Sequence, residues 1–247
     1  MNLIPDRIIV PVTAISVVKV LAGVILLLTV AHVFSMALWW TGQNRLSELL
    51  VEKFSFGGEG NIPAFFSAVL LLLASALFGL IGRCARAIDG AKSGHWMALA
   101  GVFLFLTLDE AAQIHEKLDT DLIWGSLETS GFLAWPWVIL YGGLVAAFFV
   151  VFGRFWLGLP ATIKWPYAVA AALYVGAALG FEMLEARVYT EAAGPGPLFD
   201  ILVTIEEFLE MSAILYAIHT SLRYLSQVQP AAFAFVPPEP VTASAMR

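Results

Sequence analysis

Charge is what this 247-residue chain has least of: Asp, Glu, Lys and Arg together make up 13% of it, about half the share of a soluble domain. With 60% hydrophobic residues and a mean hydropathy of +0.85, there is too little polar surface to cover a core in water. A soluble globular domain and a disordered chain are both excluded. The single cysteine, Cys84, excludes an internal disulfide and an all-thiolate metal site. A net charge of −6 is too acidic for a nucleic-acid partner. Familiar catalytic signatures are missing too. There is no Glu-x-x-His of the carboxylate di-iron bundles, no His-x-x-x-His or His-Glu-x-x-His, no Gly-x-Ser-x-Gly and no phosphate loop.

What the chain does have is long apolar runs. A helix needs about 20 apolar residues to span a bilayer, and lipid offers its backbone no partner, so spanning segments must be helical. Six qualify: Val12 to Trp40, Ile62 to Gly82, Trp96 to Leu118, Gly131 to Gly153, Pro166 to Tyr189 and Phe199 to Leu225. The fold expected is therefore all-α, a polytopic membrane bundle of six helices over residues 1–225. A Pro- and Ala-rich tail, 226–247, carries no periodicity and is expected to be poorly ordered. The first run is too long for a cleavable signal and ends in Trp39-Trp40 rather than small residues.

An even number of spans puts both termini on one side. That side holds Arg7, Lys19, Arg83, Arg86, Lys92, Arg154, Lys164, Arg223 and Arg247, against Arg45, Lys53, Lys117 and Arg187 on the other. The positive-inside bias makes the termini cytoplasmic, in a bacterial cytoplasmic membrane. The eight tryptophans, at 39, 40, 96, 124, 135, 137, 156 and 165, fall at or near span ends and read as interface anchors. Between the first two spans, Leu46, Leu49, Leu50 and Phe54 recur at helical spacing, as in an amphipathic connector or a helix on the membrane surface. A Gly-rich turn, FGGEGNIP, follows it.

The scarce acids are unevenly placed. Of 19 acids, Asp109, Glu110 and Glu116 fall in the third span, Glu182 and Glu185 in the fifth, and Glu206, Glu207 and Glu210 in the sixth. Each would cost roughly 2.5–3.5 kcal/mol at mid-membrane, so they must face protein or water. Asp109 is about 20 Å beyond Trp96, Glu182 about 24 Å beyond Pro166, and Glu206 and Glu210 about 10–17 Å below Phe199 at 1.5 Å per residue. These depths overlap in one layer of the outer half. At 100° per residue, Asp109, Glu110, Gln113 and Glu116 share an arc of about 120°, and Glu206, Glu207 and Glu210 one of about 100°. Glu182, Glu185, Tyr174 and Tyr189 share about 80°. Gly176-Ala-Ala-Leu-Gly180, opposite them, reads as a small-residue packing stripe.

One outward-facing polar cluster follows. So many carboxyls in a low dielectric must be protonated or neutralised by cations. Oxygen donors favour a hard divalent cation such as Ca²⁺, Mg²⁺ or Mn²⁺, and an added histidine would admit zinc or iron. The expected ligands are Asp109, Glu110, Glu116, Glu182, Glu206, Glu207 and Glu210, with His115, His32, Gln113, Tyr174 and Glu185 as possible additions. His115 projects about 140° from Glu110 on a continuous helix and tends to miss the cluster. His95 and His219 read as packed histidines. The plain alternative for the whole cluster is a hydrogen-bonded polar network that holds the helices together.

The segments LTLDEAAQIHEKL (106–118) and IEEFLEMSAILYAI (205–218) resemble a pattern in uncharacterised bacterial polytopic membrane proteins. That resemblance implies the membrane fold and no activity. Three functions remain open at this level. One is a metal-binding membrane protein, in which the metal activates water or oxygen toward a lipid-like substrate from the outer leaflet. Another is a proton or cation transporter using the same acids, which needs an inward route that the apolar inner halves do not offer. The third is an accessory subunit of a larger membrane complex, or a homo-oligomer, with no residue of its own to distinguish it.

Overall fold

A computed structural model describes residues 13–86, 90–117 and 129–228, and among them there is no strand. The chain runs through α1 (Ala14–Thr41), α2 (Arg45–Phe54), α3 (Ile62–Ala85), α4 (Gly90–Ala112), a one-turn α5 (Ile114–Lys117), a 3-10 turn (Gly131–Leu133) and α6 (Trp137–Leu157). Next come α7 (Ala161–Val175), a π-helical segment (Gly176–Phe181), α8 (Glu182–Ala192) and α9 (Pro197–Val228). Five helical stretches are long and apolar enough to cross a membrane: α1, α3, Lys92–Ala112, α6 and the continuous Ala161–Ala192. The outer surface agrees, with Val150 82%, Phe65 71% and Leu27 66% exposed, as lipid-facing side chains are.

The sixth expected span, α9, is the least apolar of the long helices, and its place explains why. It packs against α1, α3, α7, the π segment and α8, so its polar face is turned into protein. Met211, Ile214 and Ile218 are buried there, while Ile201, Ile205 and Phe208 face outward. The helix runs on to Val228; the rest of the expected tail, 229–247, lies outside the described residues.

Local chemistry sets the boundaries. Thr13 caps α1 by accepting from the Ser16 amide. Asn44 and Ser47 form a capping box for α2, as a polar start before an amphipathic run predicts. Asn61 caps α3 and also donates through Nδ2 to the Ser55 carbonyl (2.6 Å), which ties down the turn at 55–61. The tightest helix pair is α3 with α4. Ser75 and Ser93 each bridge it, bonding the carbonyls of Ala100 and Gly82 at 2.8 Å.

Two expectations change. The third span does not run on to Leu118: α4 stops at Ala112, and Gln113 takes φ +56°, a left-handed conformation that non-glycine residues seldom adopt. Trp96 is no interface anchor. It is 1% exposed and packs against Phe155 (5.1 Å), Tyr167 (5.8 Å), Phe78 (5.9 Å) and Tyr224 (6.0 Å) between ring centroids. Trp124 lies outside the described residues.

Gly82 is a point of close approach between α3 and α4. A Cβ there would sit 3.0 Å from Met97 Sδ and 3.2 Å from Trp96 Cβ. The sulfur can yield, but the Trp96 Cβ, fixed to its own backbone, cannot. Gly82→Leu is expected to destabilise the protein by about 1–3 kcal/mol through overpacking. Gly23→Leu on α1, with nothing within 4 Å of its Cβ position, should cost far less. Thermal unfolding of the two variants in detergent checks this; equal losses would contradict the packing.

Candidate functional site

A cleft of about 1430 Å³ lies between the helices, larger than the roughly 300–1,000 Å³ of ordinary small-molecule sites, and it is partly open, since Phe149 (54%) and Val151 (61%) of its lining are exposed. Its walls come from α4, α6, α7, α8 and α9 and the turn after α2. Eight carboxyl side chains line it: Glu59, Asp109, Glu110, Glu182, Glu185, Glu206, Glu207 and Glu210. All belong to the end of the bundle that carries α2. The opposite end is walled by Trp96, Phe155, Trp156, Leu159 and Tyr167. No lysine or arginine lines the cavity among the described residues.

Arg187 on α8 and Lys117 on α5 are engaged elsewhere. Arg187 Nε donates to Glu191 Oε1 (2.8 Å), one helical turn on, and its guanidinium lies 4.8 Å from the Phe132 ring centroid. Lys117 Nζ donates to the Ala112 carbonyl (2.6 Å) and so closes the end of α4.

The acids form one electrostatic unit carried by several elements. Glu210 lies within Coulombic range of Glu110, Glu182, Glu185 and Glu59, and Glu207 within range of Glu110, Glu210 and Glu59. Tyr174 on α7 faces Glu210, Glu110 and Glu207. The tightest group joins α8 to α9: one carboxylate oxygen from each of Glu182, Glu185 and Glu206 lies within 4.8 Å of the others. Glu185 is 3% exposed, and its Oε1 is buried with no hydrogen-bond partner. A buried acceptor left in this state costs about 1–3 kcal/mol, more when charged, so a ligand that engages it gains correspondingly.

The broken end of α4 builds the second part of the site. Asp109, 5% exposed, uses both oxygens. Oδ1 accepts the His115 backbone N–H (2.9 Å) and lies 3.3 Å from His115 Nδ1, and Oδ2 accepts the Tyr141 hydroxyl (2.9 Å). On an unbroken helix His115 would point away; the left-handed Gln113 turns it back onto Asp109. The ring then packs on Trp137, with centroids 4.9 Å apart, and lines the cavity. Gln113 itself points to the Gly-rich turn, its Nε2 3.4 Å from where a Gly60 Cβ would stand.

The remaining expected residues divide as follows. Asp109, Glu110, Glu182, Glu185, Glu206, Glu207, Glu210, Tyr174 and His115 share the cavity. Glu116 lies in α5, and its side chain is outside the described residues. His32 is held between other groups. Its Nδ1 accepts the Phe56 N–H (3.0 Å), and its Nε2 pairs with Thr204 Oγ1 (2.8 Å), whose hydroxyl donates to the Asp200 carbonyl. His32 Nε2 therefore carries the proton, and the ring pins α1, the 55–61 turn and α9 together, stacked 4.5 Å from Phe56. His95 stacks on Phe155 at 4.9 Å.

Two site residues escape a sequence reading. Glu59 looks like a loop acid until the turn folds over the cavity mouth. The Gly57-Gly58 pair close to it was the available signal, and a Cβ at Gly57 would stand 3.3 Å from Val203 Cγ1. Tyr141 was legible only as the first polar side chain of an otherwise apolar helix.

Residues 20–225 match the family described as a domain of unknown function, DUF8692. The chain belongs to the DUF8692 family. No curated protein and no solved structure matches it. The matched region holds every cavity-lining residue named above, so the cavity lies wholly within the DUF8692 domain. The family sets no chemistry for it, and the site has to be read from its own atoms.

The Asp109–His115 pair gives a pH test for the DUF8692 site. Burial disfavours a charged His115, but the hydrogen bond and charge of Asp109, with Glu59 and Glu182 behind it, outweigh burial and raise it above 6.5. A raised histidine stabilises the fold fully below its ordinary value, and that contribution is lost as pH rises through the folded-state value. NMR titration of His115 is expected to give a midpoint above 6.5, lowered in Asp109→Asn. A midpoint that ignores Asp109→Asn would remove the pairing.

Proposed function

We propose that this is a membrane protein that binds a divalent cation through the carboxyl groups at the α2 end of its cavity. Glu182, Glu185 and Glu206 are the core ligands, and Glu210, Glu207, Glu110 and Asp109 complete the surrounding negative charge. The observation that carries the reading is the α8–α9 group. Three carboxylate oxygens lie within 4.8 Å of one another, and two metal–oxygen bonds of roughly 2.0–2.6 Å placed end to end cover that distance. Glu185 Oε1 is buried without a partner beside them, and no lysine or arginine of the described cavity wall competes for the charge.

An all-oxygen donor set selects a hard ion, Ca²⁺, Mg²⁺ or Mn²⁺, over zinc or copper. His115 is turned to Asp109 and stands as a neighbour of the ion rather than a ligand. Held at the head of an apolar cavity, such an ion would act as a Lewis acid on a lipid-like molecule or on water beside it. In this reading α9 is the sixth span, both termini are cytoplasmic, and the carboxyl layer opens toward the outer face, in keeping with the Lys and Arg bias. Residues 1–225 form the membrane domain.

Elemental analysis of the purified protein in mild detergent tests the site. Stoichiometric Ca, Mg or Mn is expected, with loss in Glu182→Ala and Glu206→Ala and retention in Glu48→Ala on exposed α2. A wild-type preparation that holds no ion, and takes up none of the three by calorimetry, would refute the reading.

A further inference from the structure

Below the carboxyl layer the cavity changes character. From Leu106 down to Leu99 on α4, along Val145, Phe148 and Phe152 on α6, and along Ala213 and Ala217 on α9, its wall carries no side-chain nitrogen or oxygen. Polar atoms return only in the aromatic floor, where Trp96 lies and the Tyr167 hydroxyl is bonded to Ser221 Oγ (2.9 Å). Asp109 and Trp96 are 13 residues apart on one helix, about 20 Å along its axis. One leaflet supplies about half of a hydrocarbon core roughly 30 Å thick. From the carboxyl layer to the aromatic floor the cavity is therefore deep enough for one lipid chain, and the stretch between them, about 10 Å from Leu106 to Leu99, offers water no side-chain partner.

The rim limits the head group. Eight carboxyl groups face it, and no lysine or arginine does among the described residues. No lysine or arginine of the described wall stands there to pair with a further negative charge, and His115 is turned to Asp109, so an anionic head finds no free ion-pair partner. A hydroxyl or amine head would find carboxyl acceptors around it.

We propose that the cavity binds one single-chain amphiphile with an uncharged or cationic head group. Its head lies in the carboxyl layer, and its chain runs down between α4, α6, α7 and α9 to the Trp96–Phe155–Tyr167 floor. This deepens the proposed cation site by naming the class of molecule beside the ion, and it rests on that reading only for the position of the head.

Ala171 on α7 marks the middle of the tube, between Tyr174 in the carboxyl layer and Tyr167 in the floor. Ala171→Phe fills the tube there and touches none of the proposed ligands. The experiment uses full-length protein in dioleoylphosphatidylcholine nanodiscs and hexadecanol carrying a diazirine at the chain end, followed by irradiation and peptide mapping. Adducts are expected on the peptides of Trp96, Phe155 and Tyr167. They should be competed by unlabelled hexadecanol and lost in Ala171→Phe. Ala217→Phe, one helix away, should give the same loss if Ala171→Phe fails to fold.

Adducts confined to outward side chains such as Val150 and Leu27, or floor adducts that survive both fillings, would overturn the inference. So would a hexadecanoate probe that labels the floor as strongly as the alcohol. Metal content measured on the same samples separates the two proposals. Floor labelling without metal removes the cation reading alone, and metal without floor labelling removes the chain inference alone.

Discussion

A carboxyl group cannot be left in lipid, and most of this architecture follows from that constraint. Each acid at mid-membrane costs roughly 2.5–3.5 kcal/mol unless it faces protein or water. Helix α9 carries three acids within five residues, Glu206 to Glu210. It cannot sit at the edge of the bundle with that face outward, so it takes the central position against α1, α3, α7 and α8. The same turn that buries Glu206 and Glu210 exposes Ile201, Ile205 and Phe208. One helix thus has an exposed apolar face and a face for the cavity, and its modest hydropathy records that division.

Gathering acids from separate elements needs more than helical periodicity, and the backbone departs from regularity at each contributing place. The left-handed Gln113 ends α4 and returns His115 to Asp109. The π segment Gly176–Phe181 widens the helix just before Glu182 and Glu185, and such turns are frequent at functional sites. A Cβ at Gly176 or Gly180 would meet nothing within 4 Å, so these glycines do not serve close packing. The Gly-rich turn, with Gly60 at φ +66°, brings Glu59 over the mouth. His32 holds that turn against α9 through Phe56 and Thr204. Strain of this kind persists where the surrounding structure over-determines it.

These departures also mark what a sequence can and cannot reveal. Five long apolar helices and the acidic faces of α4 and α9 were legible because they depend on length, composition and period alone. Asp109, Glu110, Glu206, Glu207 and Glu210 accordingly share a cavity. His115 was misjudged because a continuous helix was assumed through Gln113. The small residues at 176–180 suggested a packing stripe because composition does not separate a π turn from a close approach. Trp96 suggested an interface anchor because position near a span end is also compatible with a buried aromatic floor. Glu59 and Tyr141 depend on tertiary folding; the glycine pair near one and the apolar helix around the other mark a place but not a role.

The distribution of polarity along the cavity bears on what kind of work it suits. A conduit for ions needs polar groups along its whole length, since an ion stripped of water in an apolar stretch has nothing to replace its hydration. Here the carboxyl layer gives way to a wall of Val, Leu, Phe and Ala and then to a ring-packed floor. Tyr216 and His219, the ionisable groups near that depth on α9, do not line the cavity. An ion entering at the rim would be held there and not passed on. A molecule with one polar end and one apolar end matches the gradient over its full length. The cavity is thus better suited to presenting such a molecule to the carboxyl layer than to carrying charge across the membrane.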